Sequence, residues 1–213
     1  MKPLPAWAAR YCSACVPIFV VCACILATGI PAPAQSSALT LPRNLAQLVD
    51  ESQTVVQGWV TDVALQPSPQ LRNLMTVVVT LRVEDSLKGD SVKSFTFSQA
   101  VIDRRDLRQR MGYRIGQHLL LILISPSAYG LTSPAGLEQG RFRIAAAADG
   151  KLLAANGLAN SGLFRALDSQ LKTRGLRVTP DLQSMIAKPG SGPVSLDQLK
   201  TLIRTIAAPT PQP

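Results

Sequence analysis

His118 is the only histidine in a chain of 213 residues, and its ordinary pKa near neutrality makes it the first candidate for a general base. A lone histidine without carboxylate partners, and without a His-x-x-x-His or similar pair, does not build a usual zinc site. The carboxylates are sparse too. Asp103 and Asp106 would serve as an acid/base pair, but they sit among Arg104, Arg105 and Arg108 and read more simply as charge-balancing loop residues. Asp50 and Glu51 close a helix, and Glu84 and Asp85 end a strand. No Gly-x-Ser-x-Gly elbow and no phosphate-cradling glycine loop occurs. These residues imply a protein that is not an enzyme and needs no cofactor and no metal, with His118 a strand-edge residue beside an apolar run. The rival reading is a secreted hydrolase built on Asp103, Asp106 or His118.

The dense charge feature runs from Asp103 to Arg114. Arg104, Arg105, Arg108, Arg110 and Arg114, with Tyr113 among them, are a candidate binding surface, because guanidinium groups pair bidentately with phosphate or carboxylate. A solvated basic loop is the plainer alternative.

Export narrows the partners. Lys2 and Arg10 form a positive leader start, Val16 to Ala27 is an apolar run, and Ala32-Pro33-Ala34 supplies the small residues of a signal-peptidase site. Residues 1–34 therefore read as a signal peptide cleaved after Ala34, which makes the protein secreted or periplasmic. The apolar run falls short of the ~20 residues that span a bilayer, and Gly29, Pro31 and Pro33 interrupt it, so no transmembrane anchor is expected after cleavage. All four cysteines, Cys12, Cys15, Cys22 and Cys24, lie in this leader, so the mature domain is cysteine-free. Val21-Cys22-Ala23-Cys24 is also an imperfect lipoprotein signal in which Cys24 would carry the lipid. Removing 34 of 213 residues leaves 179, enough for one domain with a real core, and the net charge of +9 less Lys2 and Arg10 becomes +7. That charge favours an anionic envelope polymer or another exported protein as partner; nucleic acid is excluded by the export.

The elements follow from periodicity. A short helix is expected from Thr40, with Thr40 as cap, Pro42 in its first turn, Leu45, Leu48 and Val49 on one face, and an end near Ser52. Thr54 to Ala64 reads as a strand in which Gly58 marks a bulge or bend. Met75 to Val83 alternates, with Val77, Val79, Leu81 and Val83 on one face. Lys88-Gly89-Asp90 is a turn, after which Phe95 and Phe97 share a face. Leu119 to Ile124 is a central strand covered on both faces. Phe142 and Ile144 alternate with Arg141 and Arg143, and Asp149-Gly150 is a hairpin turn before a returning strand from Lys151 to Ala155. Ser161 to Arg174 reads as a helix stopped by Gly175, and Thr179-Pro180-Asp181 opens another. The two glycines and two prolines of 188–193 make a flexible connection. Ser195 to Gln198 is a capping box for a last helix with Leu199, Leu202, Ile203 and Ile206 as its stripe.

Closely spaced strands with turn signals imply a closed or nearly closed antiparallel barrel of about five or six strands between Thr54 and Ala155. The domain plan is signal peptide 1–34, barrel 39–155, a variable helical and loop segment 156–194, a C-terminal helix 195–207 packed on the barrel, and a disordered tail 208–213. Residues 54–60, 79–89 and 136–144, with the helix start at Val194-Ser195-Leu196, resemble a family of secreted bacterial proteins of unknown function. The first two of these segments are more distantly similar to the opening strands of the netrin-like and tissue-inhibitor-of-metalloproteinase group. That resemblance implies a mainly β, OB-like barrel flanked by a short N-terminal helix and C-terminal helices, with loops that bind polymers or proteins. The inhibitors of that group chelate a protease zinc with a cysteine at the mature N-terminus. This chain has no cysteine after Cys24, so the inhibitory mechanism does not carry over.

Overall fold

The computed structural model describes residues 41–188 and 190–208. The expected signal peptide with its cysteines, the Thr40 cap and the tail beyond Ala208 lie outside the described residues. Strands β1 (Ser52–Pro67), β2 (Met75–Lys88), β3 (Ser94–Val101), β4 (His118–Ile124), β5 (Arg141–Ala146), β6 (Leu152–Asn156) and β7 (Val194–Ser195) form one antiparallel sheet in the order β3-β2-β1-β4-β5-β6-β7. Helices α1 (Leu45–Glu51), α2 (Arg104–Gln109), α3 (Leu167–Thr173), α4 (Pro180–Ala187) and α5 (Leu196–Ala207) accompany it. The mainly β, antiparallel expectation with flanking helices holds.

The unbroken apolar run of β4 explains the layering. Leu120 and Ile122 point into a core shared with Val55, Phe142, Ile144 and the apolar faces of α1, α3, α4 and α5. Leu119, Leu121 and Leu123 point the other way, into a second core with Val56, Val60, Val77, Val79, Leu81, Phe97 and Tyr113. Both faces of the strand are thus buried, as its length and composition imply. The alternation of β2 is also as read, except that Thr76 is buried and donates to the Gln66 carbonyl at 2.9 Å.

The first and last helices are each held at definite points. The Asn44 side chain accepts from Gln47 N at 3.1 Å and the Gln47 side chain accepts from Asn44 N at 2.9 Å, a reciprocal cap that starts α1 after Pro42 rather than at Thr40. At the other end of α1, Lys88 Nζ donates to the carbonyls of Val49 at 2.7 Å and Ser52 at 2.5 Å, a cation placed on the negative end of the helix dipole. Ser195 caps α5 as expected, and Lys200 and Arg204 clamp the Asp85 carboxylate of β2 at 2.5 and 2.6 Å. Burial works to raise the Asp85 carboxyl, but the two cations outweigh it and hold it below the usual range.

Two expectations need correction. The sheet is not a closed barrel: it ends at β3 and β7, which do not pair. Closure around the second core is made instead by single bridges from the loop after β4, Leu131 to Ser98 and Pro134 to Leu123. The expected helix over 161–174 forms only over Leu167–Thr173. Ahead of it lie turns with Ala159, Asn160, Gly162 and Ala166 at positive φ. The Asn160 side chain donates to Ala154 O at 3.0 Å and Gly192 O at 2.8 Å and accepts from Asn156 N at 2.9 Å, so it competes with the helical ladder for this backbone. Gly192 in turn donates its N–H to the Ala159 carbonyl at 2.6 Å, so it is held to this turn from both sides. Asn156 itself is fixed: its Nδ2 donates to Gln139 O at 3.0 Å, its Oδ1 accepts from Leu158 N at 3.0 Å and Asn160 N at 2.7 Å, and Gly157 N donates to Glu138 O at 3.0 Å.

Gly58 does mark a bulge. Gln57 pairs with Asp85 and Gly58 with Val83, which leaves Glu84 without an opposite residue. A Cβ on Gly58 would lie 2.2 Å from the Arg82 carbonyl oxygen, so the approach of β2 at this point requires glycine. Gly58→Ala is expected to destabilise the protein by about 3 kcal/mol through this backbone clash. Urea unfolding followed by circular dichroism measures it, and an unchanged midpoint would contradict the close approach.

Candidate functional site

The basic segment folds more than expected. Instead of an irregular loop, residues 104–109 form α2, capped by Asp103, whose carboxylate accepts from Arg105 N at 2.7 Å. A single 3-10 turn follows, and Arg110, Met111 and Gly112 all adopt positive φ, which swings the chain back toward β4. Leu107 and Met111 pack on the second core, so the side of the segment opposite them faces water. Arg104, Arg105, Arg108, Arg110 and Arg114 are exposed, and none of the five forms an ion pair among the described residues. Arg110 alone is tethered, donating to the Val63 carbonyl at 3.3 Å.

Tyr113 is not part of that surface. It is 1% exposed and belongs to the second core, where its hydroxyl donates to Gln99 Oε1 at 3.1 Å and its ring meets Phe97 edge-on at 5.8 Å. Burial pushes its hydroxyl up to about 12, against the opposing pull of the neighbouring Arg141. Arg141 takes a role its alternation with Arg143 does not announce. Its guanidinium lies over the Tyr113 ring at 4.7 Å, donates to the Met111 carbonyl at 2.5 Å, and pairs with Glu138. A buried cation from β5 thereby grips the backbone of the left-handed turn and holds α2 in place. Glu138 and Arg141, three residues apart with opposite charge, are the signal in the sequence that marks this pair.

A second polar cluster lies on the helix-covered side of the sheet. The bulge aims Glu84 at β1: Glu84 Oε1 accepts from Trp59 Nε1 at 2.7 Å and Glu84 Oε2 from Gln57 Nε2 at 3.0 Å. His118 Nε2 lies 2.9 Å from Glu84 Oε2 and 2.9 Å from Gln57 Nε2, and its ring stacks on Trp59 at 4.4 Å with an angle of 12°. His118 opens β4 beside the apolar run, as expected, and its buried Nε2 faces Glu84 and Gln57. Asp103 and Asp106 do not join it. They ride on the segment that covers the second core, whereas the His118 side chain shares the other face of β4 with Leu120 and Ile122. The geometry therefore assembles no acid/base set from these three residues. No group of three or more His, Cys, Asp or Glu side chains among the described residues is placed to hold a metal ion.

Comparison of the chain with family models, with curated proteins and with solved structures finds no match.

Burial lowers the His118 pKa below its ordinary 6.5, and the attraction of Glu84 offsets this only in part. A histidine depressed in the folded state stabilises the fold above the unfolded pKa, and that contribution is lost as pH falls from about 6.5 through the lower folded value. Unfolding free energy measured between about pH 7 and pH 5 should therefore fall on acidification, and the His118→Gln variant should show a flatter profile there. Parallel profiles would place the pH dependence on other groups.

Proposed function

We propose that this chain is an exported, non-catalytic module that binds an anionic polymer through the outward side of its basic segment. The supporting observation is the set of five exposed arginines within eleven residues, none ion-paired among the described residues, on a segment anchored from below by Arg141. Other arginines of the fold are matched to carboxylates, as in Arg43 with Glu51, Arg174 with Asp50 and Arg204 with Asp85, and no second stretch of the described residues gathers five unmatched ones so closely. Unmatched guanidinium groups on an ordered support lose little conformational freedom on meeting phosphate or carboxylate, which is what makes such a surface bind. The leader at 1–34 supports placement in the periplasm or outside the cell, where acidic envelope polymers are the available partners. The resemblance to netrin-like barrels belongs to the same proposal, since it implies loops at the rim of a small curved sheet as the binding region.

Binding of an acidic polysaccharide should fall steeply with salt, because charges more than ~10 Å apart are screened at about 0.1 M. Replacing Arg104, Arg105, Arg108, Arg110 and Arg114 with glutamine should abolish that binding. The melting temperature should stay nearly unchanged, as exposed charges contribute at most about 1 kcal/mol each. Titration calorimetry at two salt concentrations with a parallel thermal melt measures both, and retained binding in the five-fold variant would remove this reading.

A further inference from the structure

Two of the most exposed aliphatic residues in the described structure bracket the basic segment: Ile102 is 94% exposed and Ile115 is 63% exposed. Their positions follow from the pairing. Ile102 leaves the sheet after Val101, which pairs with Met75, and Ile115 precedes Gly116, whose N–H donates to the Val60 carbonyl at 2.8 Å. The arginines of α2 and its turn therefore lie between an isoleucine at each end, with the Arg141 contact to Met111 holding the support between them.

Resting on the arginine reading above, we infer that the anion is the headgroup layer of a bilayer, with Ile102 and Ile115 entering the acyl boundary while the guanidinium groups pair with lipid phosphates. A soluble polysaccharide or polyphosphate offers an isoleucine nothing apolar to enter. A protein partner is usually met by aromatic anchors in a contiguous apolar patch, and Tyr113, the one aromatic residue of the segment, is in the core. A bilayer surface combines the two chemistries in one ligand: negative charge at the surface and hydrocarbon a few ångströms beneath it. The isolated isoleucines and unmatched arginines suit that layered order.

The test compares the full chain with its Ile102→Ser/Ile115→Ser variant on two probes, phosphatidylcholine vesicles containing phosphatidylglycerol and soluble dextran sulfate. The leader is common to both proteins, so their difference reads this surface. The double substitution is expected to weaken vesicle binding at least about tenfold, as loss of apolar insertion should, and to leave dextran sulfate binding unchanged. Equal vesicle binding by both proteins would overturn the inference. Dextran sulfate binding by the native chain without vesicle binding would also overturn it, while leaving the arginine reading intact. Failure on both probes would remove the arginine reading itself. Since both isoleucines are exposed, unchanged melting is expected for the variant, and a large loss would show that they pack against the protein.

Discussion

Five apolar side chains in a row, Leu119 to Leu123, sit in the middle strand of the sheet and are buried on both sides. A strand of this kind needs two covers, and the two are made differently. On one side the helices α1, α3, α4 and α5 supply a conventional layer of amphipathic faces. On the other there is no helix long enough, so β1, β2 and β3 curl and the segment around Tyr113 fills the remaining gap. The basic segment lies where it does because it is the outside of a core plug whose inside is Tyr113, Leu107 and Met111.

Curling β2 over β1 has its own requirement, met at Gly58. Removing a side chain there lets the strands come close enough to expel Glu84 from the pairing. The expelled carboxylate then finds Trp59, Gln57 and His118, so a local backbone irregularity becomes a polar joint between β1, β2 and β4. The Arg141 grip on the Met111 carbonyl does the equivalent on the opposite face. In both places a charged side chain holds strands and turns in position.

Elements with a strong local period were readable from the chain alone. Thr54 to Ala64, the alternation of β2, the double-sided β4 and the stripe of α5 all follow from side-chain spacing, because each is decided by which residues meet water, while the Gly58 bulge and the Asp149-Gly150 turn follow from residue type. Contacts between residues distant in sequence were not readable. The Asn160 side chain reaches Gly192 and unmakes a helix whose leucines have helical spacing, yet Leu163, Leu167 and Leu171 are all buried regardless. Tyr113 sits among arginines in the sequence but inside the fold, because three successive left-handed residues turn it inward. Openness of the sheet was equally hidden: short strand spacing is shared by barrels and curled sheets, and only the lacing of Leu131 and Pro134 across to β3 and β4 distinguishes them.

The Asn156-Gly157 step bears on how the protein ages. Asparagine followed by glycine is the dipeptide most prone to spontaneous deamidation, which begins when the glycine nitrogen attacks the asparagine side-chain carbonyl carbon. Here that nitrogen is occupied by the Glu138 carbonyl, and both ends of the Asn156 amide are held by Gln139, Leu158 and Asn160. The attacking geometry is out of reach while these bonds stand, so the folded chain keeps a neutral amide there through prolonged storage. Conversion to aspartate at this step is then a record of past unfolding, a chemical clock that runs only when the end of β6 has opened.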